Sequence, residues 1–107
     1  MEKHKAHYLL AKLKELFSDP KTFHVTEEAF SNAVLLGYTN IDEMLDIVKS
    51  LENRHLYKAM TTHRNHKIWQ DVYKITVGRE NKIYLKLQLS VDGKKAILIQ
   101  FKEDTGD

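Results

Sequence analysis

The chain has 107 residues, enough for one domain, and no cysteine, which removes disulfides, thiolate nucleophiles and cysteine-type zinc sites. No apolar run approaches the roughly 20 residues that span a bilayer, and the charged residues 1–7 lack a signal-peptide core, so a soluble, cytoplasmic protein is expected. The net charge of +2 conceals a division that suits an anionic partner docking on one side: residues 1–50 carry 6 Lys/Arg against 8 Asp/Glu, whereas residues 51–102 carry 11 against 4.

From residue 6 to 17, Leu9, Leu10, Leu13, Leu16 and Phe17 recur at helical spacing, and Asp19-Pro20 ends that helix. Residues 22–25 suit a short strand. Thr26 then caps a second helix, with Glu27 and Glu28 in its first turn; Phe30, Ala33, Val34 and Leu35 or Leu36 form its expected buried stripe and Gly37 its stop. Asn40 with Glu43 starts a third helix running to Leu51 or Glu52, its apolar face made by Ile41, Met44, Leu45 and Val48.

Beyond that helix the period changes to two. Residues 55–62 and 68–76 are rich in β-branched and aromatic side chains and read as strands. Ile83, Leu85, Leu87 and Leu89 alternate with Tyr84, Lys86 and Gln88, as in a half-buried strand; Ile97, Ile99 and Phe101 are expected to do the same in a last one. Residues 78–81 and Asp92-Gly93 supply the turns. Helices followed by hairpin-linked strands predict a single α+β domain over residues 1–107, with one sheet face on the helices and the other open to solvent or RNA.

Several polar side chains on these strands are candidates for chemistry. Tyr84 and Lys102 alternate away from apolar neighbours. Lys58 shares its expected face with Leu56 and Met60, an unusual setting for a solubilising lysine. Gln70 alternates with Trp69 and Tyr73, which read as core. Each also has a plain structural explanation, as a surface tyrosine, a terminal lysine or a strand-end cap. His63 and His66, or His4 and His7, lack the third convergent ligand that a metal site needs; a histidine acid–base pair at 63 and 66 is the more credible alternative. There is no phosphate-binding glycine loop and no nucleophile elbow.

The stretch LYKAMTTHRNHKIWQDVY at residues 56–73 resembles the signature of the MqsR (motility quorum-sensing regulator) toxins, chiefly through Tyr57-Lys58, Met60-Thr61-Thr62 and Ile68-Trp69-Gln70-Asp71-Val72-Tyr73. Ile83-Tyr84-Leu85-Lys86 and Ile99-Gln100-Phe101-Lys102-Glu103 extend the resemblance downstream. Met1-Glu2-Lys3 and residues 33–37 carry it more loosely upstream. The chain departs from the family pattern at residues 74–82 and 90–95, which bears on cleavage preference rather than activity.

The resemblance implies a RelE-like fold and an mRNA interferase independent of ribosomes and metals, needing no cofactor and cutting at GC-containing sites such as GCU or GCN. It places the family's catalytic residues on Lys58, Gln70, Tyr84 and Lys102. It further implies an MqsA-like antitoxin partner, zinc-binding and helix-turn-helix, through which any DNA contact would pass. His63, Arg64, His66 and Lys86 are expected RNA contacts. RNA brings its own nucleophile, the 2′-hydroxyl, so the protein needs only a base, an acid and cations near the phosphorane oxygens. Tyr84 is expected to orient or deprotonate that hydroxyl, its phenol made more acidic by neighbouring lysines. The competing functions are a non-catalytic RNA- or protein-binding module and a ribosome-dependent ribonuclease on the same scaffold.

Overall fold

The computed structural model describes residues 1–106. Its elements run β1 (Glu2–Lys3), α1 (Leu10–Leu16), β2 (Phe23–Val25), α2 (Glu27–Leu35), α3 (Ile41–Ser50), a 3-10 turn at Asn53–His55, β3 (Leu56–Thr61), β4 (Trp69–Val77), β5 (Asn81–Leu89) and β6 (Ala96–Glu103). The strands form one six-stranded sheet in the order β1-β3-β4-β5-β6-β2. Every pairing is antiparallel except that of β2 with β6. The α+β arrangement expected from the change of period is therefore what the chain adopts.

The helices cover one face of the sheet. Leu10, Leu13, Leu16 and Phe17 at α1 and Met44, Leu45 and Val48 on α3 pack with Tyr73, Ile83, Leu85, Leu87, Leu98 and Phe101 into a single buried core. The caps expected at the two later helices are present: Thr26 Oγ1 accepts from Ala29 N at 3.1 Å and Asn40 Oδ1 from Glu43 N at 2.9 Å. Gly37 follows α2 at φ +95°, a conformation that side chains with a Cβ rarely adopt.

Three expectations are corrected. α1 starts at Leu10 rather than residue 6, because the backbone amides of His7 and Tyr8 donate instead to the carboxylate of Asp71, at 2.9–3.1 Å. That carboxylate is fully buried, and the two amides satisfy it while holding the segment before α1 extended. On α2 the buried residues are Ala29 and Ala33, with Leu36 partly buried, while Phe30, Val34 and Leu35 are exposed. The Thr26 hydroxyl donates to Ile99 O at 2.8 Å and fixes the rotation of the helix, and the alanines let its backbone approach β6.

The third correction concerns β6. Its core residues are Ala96, Leu98 and Phe101, not Ile97, Ile99 and Phe101. Lys86 pairs with Gln100 but the next residue, Leu87, pairs with Leu98, so Ile99 is an extra residue in a bulge. One inserted residue reverses which face the following side chains occupy.

Candidate active site

The face of the sheet away from the helices carries the candidate residues, and two bulges put them there. In β3 the pairing passes from Leu56 with Tyr73 to Lys58 with Val72, leaving Tyr57 as the extra residue. Leu56 consequently packs against the core, while Lys58 and Met60 turn to the open face; the expectation that Lys58 shares a face with Leu56 is corrected on this point. In β6 the bulge at Ile99 does the same for Gln100 and Lys102. Without it, strict alternation from Ala96 and Leu98 would send both into the core.

Cross-strand pairing then assembles three rows on this face. Lys74, Tyr84 and Lys102 make one; Lys58, Val72, Lys86 and Gln100 make the next; Met60, Gln70, Gln88 and Ile97 make the third. Side chains directly opposite or diagonal on one face of a sheet lie within reach of each other. The four expected catalytic residues thus stand on a single surface, with Lys86 in the middle row. Val72 is fully buried although it points away from the helices and lies outside the core cluster. Its cross-strand neighbours on that face are Lys58 and Lys86.

The electrostatics separate the roles of these groups. Lys58 Nζ donates to Glu2 Oε1 at 2.6 Å, and this hydrogen bond raises the lysine above its usual range and lowers the glutamate. Lys58 is a fixed ammonium. Tyr84 lies under the Lys102 ammonium, 4.9 Å from its ring centre. Burial nevertheless pushes its phenol above 10.0, outweighing the opposite pull of Lys58. The expectation that lysines make Tyr84 acidic is corrected: desolvation of the phenolate wins, and Tyr84 is a neutral donor. Lys86 moves the other way. Half-buried, it is held below 10.5 first by burial and then by repulsion from Lys102 and Lys58, with Glu28 on α2 offsetting a part.

Gln70 Nε2 donates to Gln88 Oε1 at 2.8 Å, and both line a cavity of about 520 Å³ together with Met60, Ile68, Arg64 and Lys86. This cavity opens between the sheet face and the loop from β3 to β4, which brings His63 and Arg64 to its wall. His66, on the same loop, is exposed and does not line it. The arrangement offers cations for a phosphate, a phenol for a proton and an apolar-floored recess with amide edges beside them. Among the described residues no three His, Asp or Glu side chains are grouped as a metal site requires. Sequence reasoning missed Glu2 and Gln88. Glu2 sits on a two-residue strand, too short to leave a periodic signal, and reaches Lys58 only through the pairing of β1 with β3. Gln88 was visible as a polar alternation but nothing in the sequence linked it to Gln70.

A family model described as the motility quorum-sensing regulator, toxin of MqsA, matches residues 5–103. The chain belongs to the MqsR toxin family. It is 34% identical over 105 residues to the mRNA interferase toxin MqsR of Escherichia coli (strain K12), covering 96% of this chain and 99% of that relative. Membership brings with it an antitoxin partner, MqsA in the family description. The matched span runs from the extended segment before α1 to the end of β6. It therefore takes in Lys58, Gln70, Tyr84, Lys86 and Lys102, while Glu2 lies just before it.

Proposed function

We propose that this MqsR-family toxin is an endoribonuclease that cuts mRNA in the cytoplasm without ribosome or metal, by attack of the 2′-hydroxyl on the adjacent phosphate. The observation that carries the reading is the convergence of Lys58, Tyr84 and Lys102 on one sheet face beside Gln70, in a chain alike over nearly its whole length to an mRNA interferase. Lys58 and Lys102 hold the phosphate and stabilise charge as it builds on the non-bridging oxygens. Tyr84, kept neutral by burial, donates its proton to the departing 5′-oxygen. Gln70 and the recess around it hold a neighbouring base, with Arg64 and His63 at the wall.

Cleavage at GC-containing sites such as GCU or GCN, with inhibition of translation and growth, follows from the family reading. So does inhibition by a zinc-binding, helix-turn-helix antitoxin that makes any DNA contact. The purified protein is incubated with a naked GCU-containing RNA in EDTA, beside the Tyr84→Phe variant. The expected result is a 2′,3′-cyclic phosphate end in the wild type and a rate lower by about 100-fold or more in the variant. A folded wild-type protein that cuts only on ribosomes would replace this reading with the ribosome-dependent one. One that cuts in neither setting would leave a binding module.

A further inference from the structure

The roles derived for Lys58, Lys102, Tyr84 and Gln70 leave one requirement of the reaction unmet, a group to take the proton from the 2′-hydroxyl. Lys58 cannot, because its ammonium is held charged by Glu2 at 2.6 Å. Tyr84 is protonated and acts as a donor. Gln70 does not titrate and its amide is engaged with Gln88. Lys102 is exposed at the end of its strand, its ammonium over the Tyr84 ring, and is already engaged as a phosphate contact on this reading.

We propose that Lys86, at the centre of the open face between Lys58 and Lys102, is the base that accepts the 2′-hydroxyl proton. This inference rests on the ribonuclease reading and adds to it a catalytic residue. Lys86 occupies the middle row, on the same face of β5 as Tyr84 and Gln88, and lines the cavity that Gln70 and Arg64 also line. It therefore faces both the cations that hold the phosphate and the recess that holds a base, the location where a ribose between the two would lie. Among the described residues no carboxylate forms an ion pair with it.

The charged and titratable groups around Lys86 come from every neighbouring element. Lys58 is on β3, Lys102 on β6, Tyr84 on β5 and Glu28 on α2, with His63 and Arg64 on the loop across the cavity. The balance weakens its hold on a proton. Its stem lies beside the fully buried Val72, two ammonium groups repel its charge, and Glu28 offsets only a part. A lysine becomes a general base in such surroundings, where burial and like charge lower its affinity for a proton.

The step balances without another reactant. The Lys86 amine takes the 2′-hydroxyl proton as the 2′-oxygen bonds to phosphorus. The bond from phosphorus to the 5′-oxygen breaks, and that oxygen leaves with the electron pair and takes the phenol proton of Tyr84. The proton on Lys86 then returns to the Tyr84 phenolate, two residues along the same face, directly or through water. The products are a 2′,3′-cyclic phosphate and a 5′-hydroxyl, and both side chains regain their starting states.

The test uses the absence of cysteine from the chain. Lys86→Cys introduces a single thiol, which 2-bromoethylamine converts to a lysine-length side chain whose amine is more acidic because sulfur withdraws electrons. Single-turnover cleavage is followed across pH on a naked RNA oligonucleotide. The Cys variant is expected to lose about 100- to 10,000-fold in rate. Alkylation should restore activity and move the acid limb of the pH profile to lower pH. A Cys variant that cuts at the wild-type rate, or an alkylated one with an unmoved acid limb, overturns the proposal.

Lys86→Met guards against a folding defect, since it keeps a flexible stem and removes a charge from an unfavourable position. It should be inactive yet at least as resistant to heat as the wild type; an active Lys86→Met protein also overturns the proposal. Failure of the wild-type protein to cut the RNA would bring down the ribonuclease reading and this inference together. An active wild type with active Lys86 variants removes the inference alone.

Discussion

Tyr73 is the largest fully buried side chain in the core, and its hydroxyl has no hydrogen-bond partner among the described residues. Burial pushes that phenol up to about 12, with the Asp71 carboxylate adding in the same direction. A buried hydroxyl left unpaired loses its hydration and gains nothing in exchange. Tyr73→Phe should therefore raise stability by about 1 kcal/mol, read as a later urea midpoint at unchanged slope; a less stable variant would mean that the hydroxyl is satisfied. Tyr84, on the opposite face, is also pushed up by burial, yet it lies beneath Lys102 and borders the cations of the open face. Periodicity assigned both tyrosines to their correct faces. It gave no means of ranking burial against lysine proximity, which is why the direction of the Tyr84 shift was misjudged from sequence.

The extended segment before α1 is the element most dependent on tertiary contacts. The His7 ring stacks on Trp69 at 5.1 Å and 13°, Lys3 Nζ stands 4.2 Å from the centre of the same indole, and the His7 and Tyr8 amides are tied to Asp71. Burial, and secondarily Lys3, hold the His7 imidazole below 6.5, with Asp71 opposing in part. The unfolded chain thus binds this proton more readily than the folded one. The corresponding stability is complete above 6.5 and is lost as the pH falls from 6.5 through the lower folded value; His55 acts in the same sense. His7→Phe keeps an aromatic ring on Trp69 and should reduce the fall in urea midpoint between about pH 7.5 and about pH 5.5. An undiminished fall would assign the acid sensitivity elsewhere.

The same comparison shows what was legible at this scale. The later helices, their caps and four long strands follow from local pattern alone, because propensity and period act over neighbours in the chain. The start of α1 does not, since a carboxylate 64 residues away competes for its amides. Nor do the bulges at Tyr57 and Ile99, which are defined only by the partner strand. Those bulges set the faces of Lys58 and Lys102, so the candidate residues come from resemblance while their presentation on one face comes only from the strand pairing.

Across the whole molecule, the excess of basic residues in the second half becomes a concentration of lysine on one sheet face. Lys58, Lys86 and Lys102 occupy adjacent rows there, while Lys74 is drawn to Asp104 at 3.3 Å. If Lys58 and Lys102 meet phosphates, the affinity for single-stranded RNA should fall with salt at a log–log slope of about −1.4. A fully 2′-O-methylated oligonucleotide, which lacks the attacking hydroxyl, permits the measurement without cleavage. Lys102→Gln should make the slope shallower by about 0.7, and an unchanged slope would remove Lys102 from the phosphate contacts.

The sheet order carries a consequence for how the protein is made. β2 joins the sheet only beside β6, α2 is tied to the Ile99 carbonyl of β6, and the open face draws on residues from Glu2 to Lys102. Synthesis delivers the N-terminal portion first. A nascent chain whose residues 96–103 are still inside the ribosome has no neighbour for β2, no anchor for Thr26 and no Lys102. On the ribonuclease reading, no finished active face therefore exists on the growing product until residues 96–103 have left the ribosome and taken their place between β5 and β2.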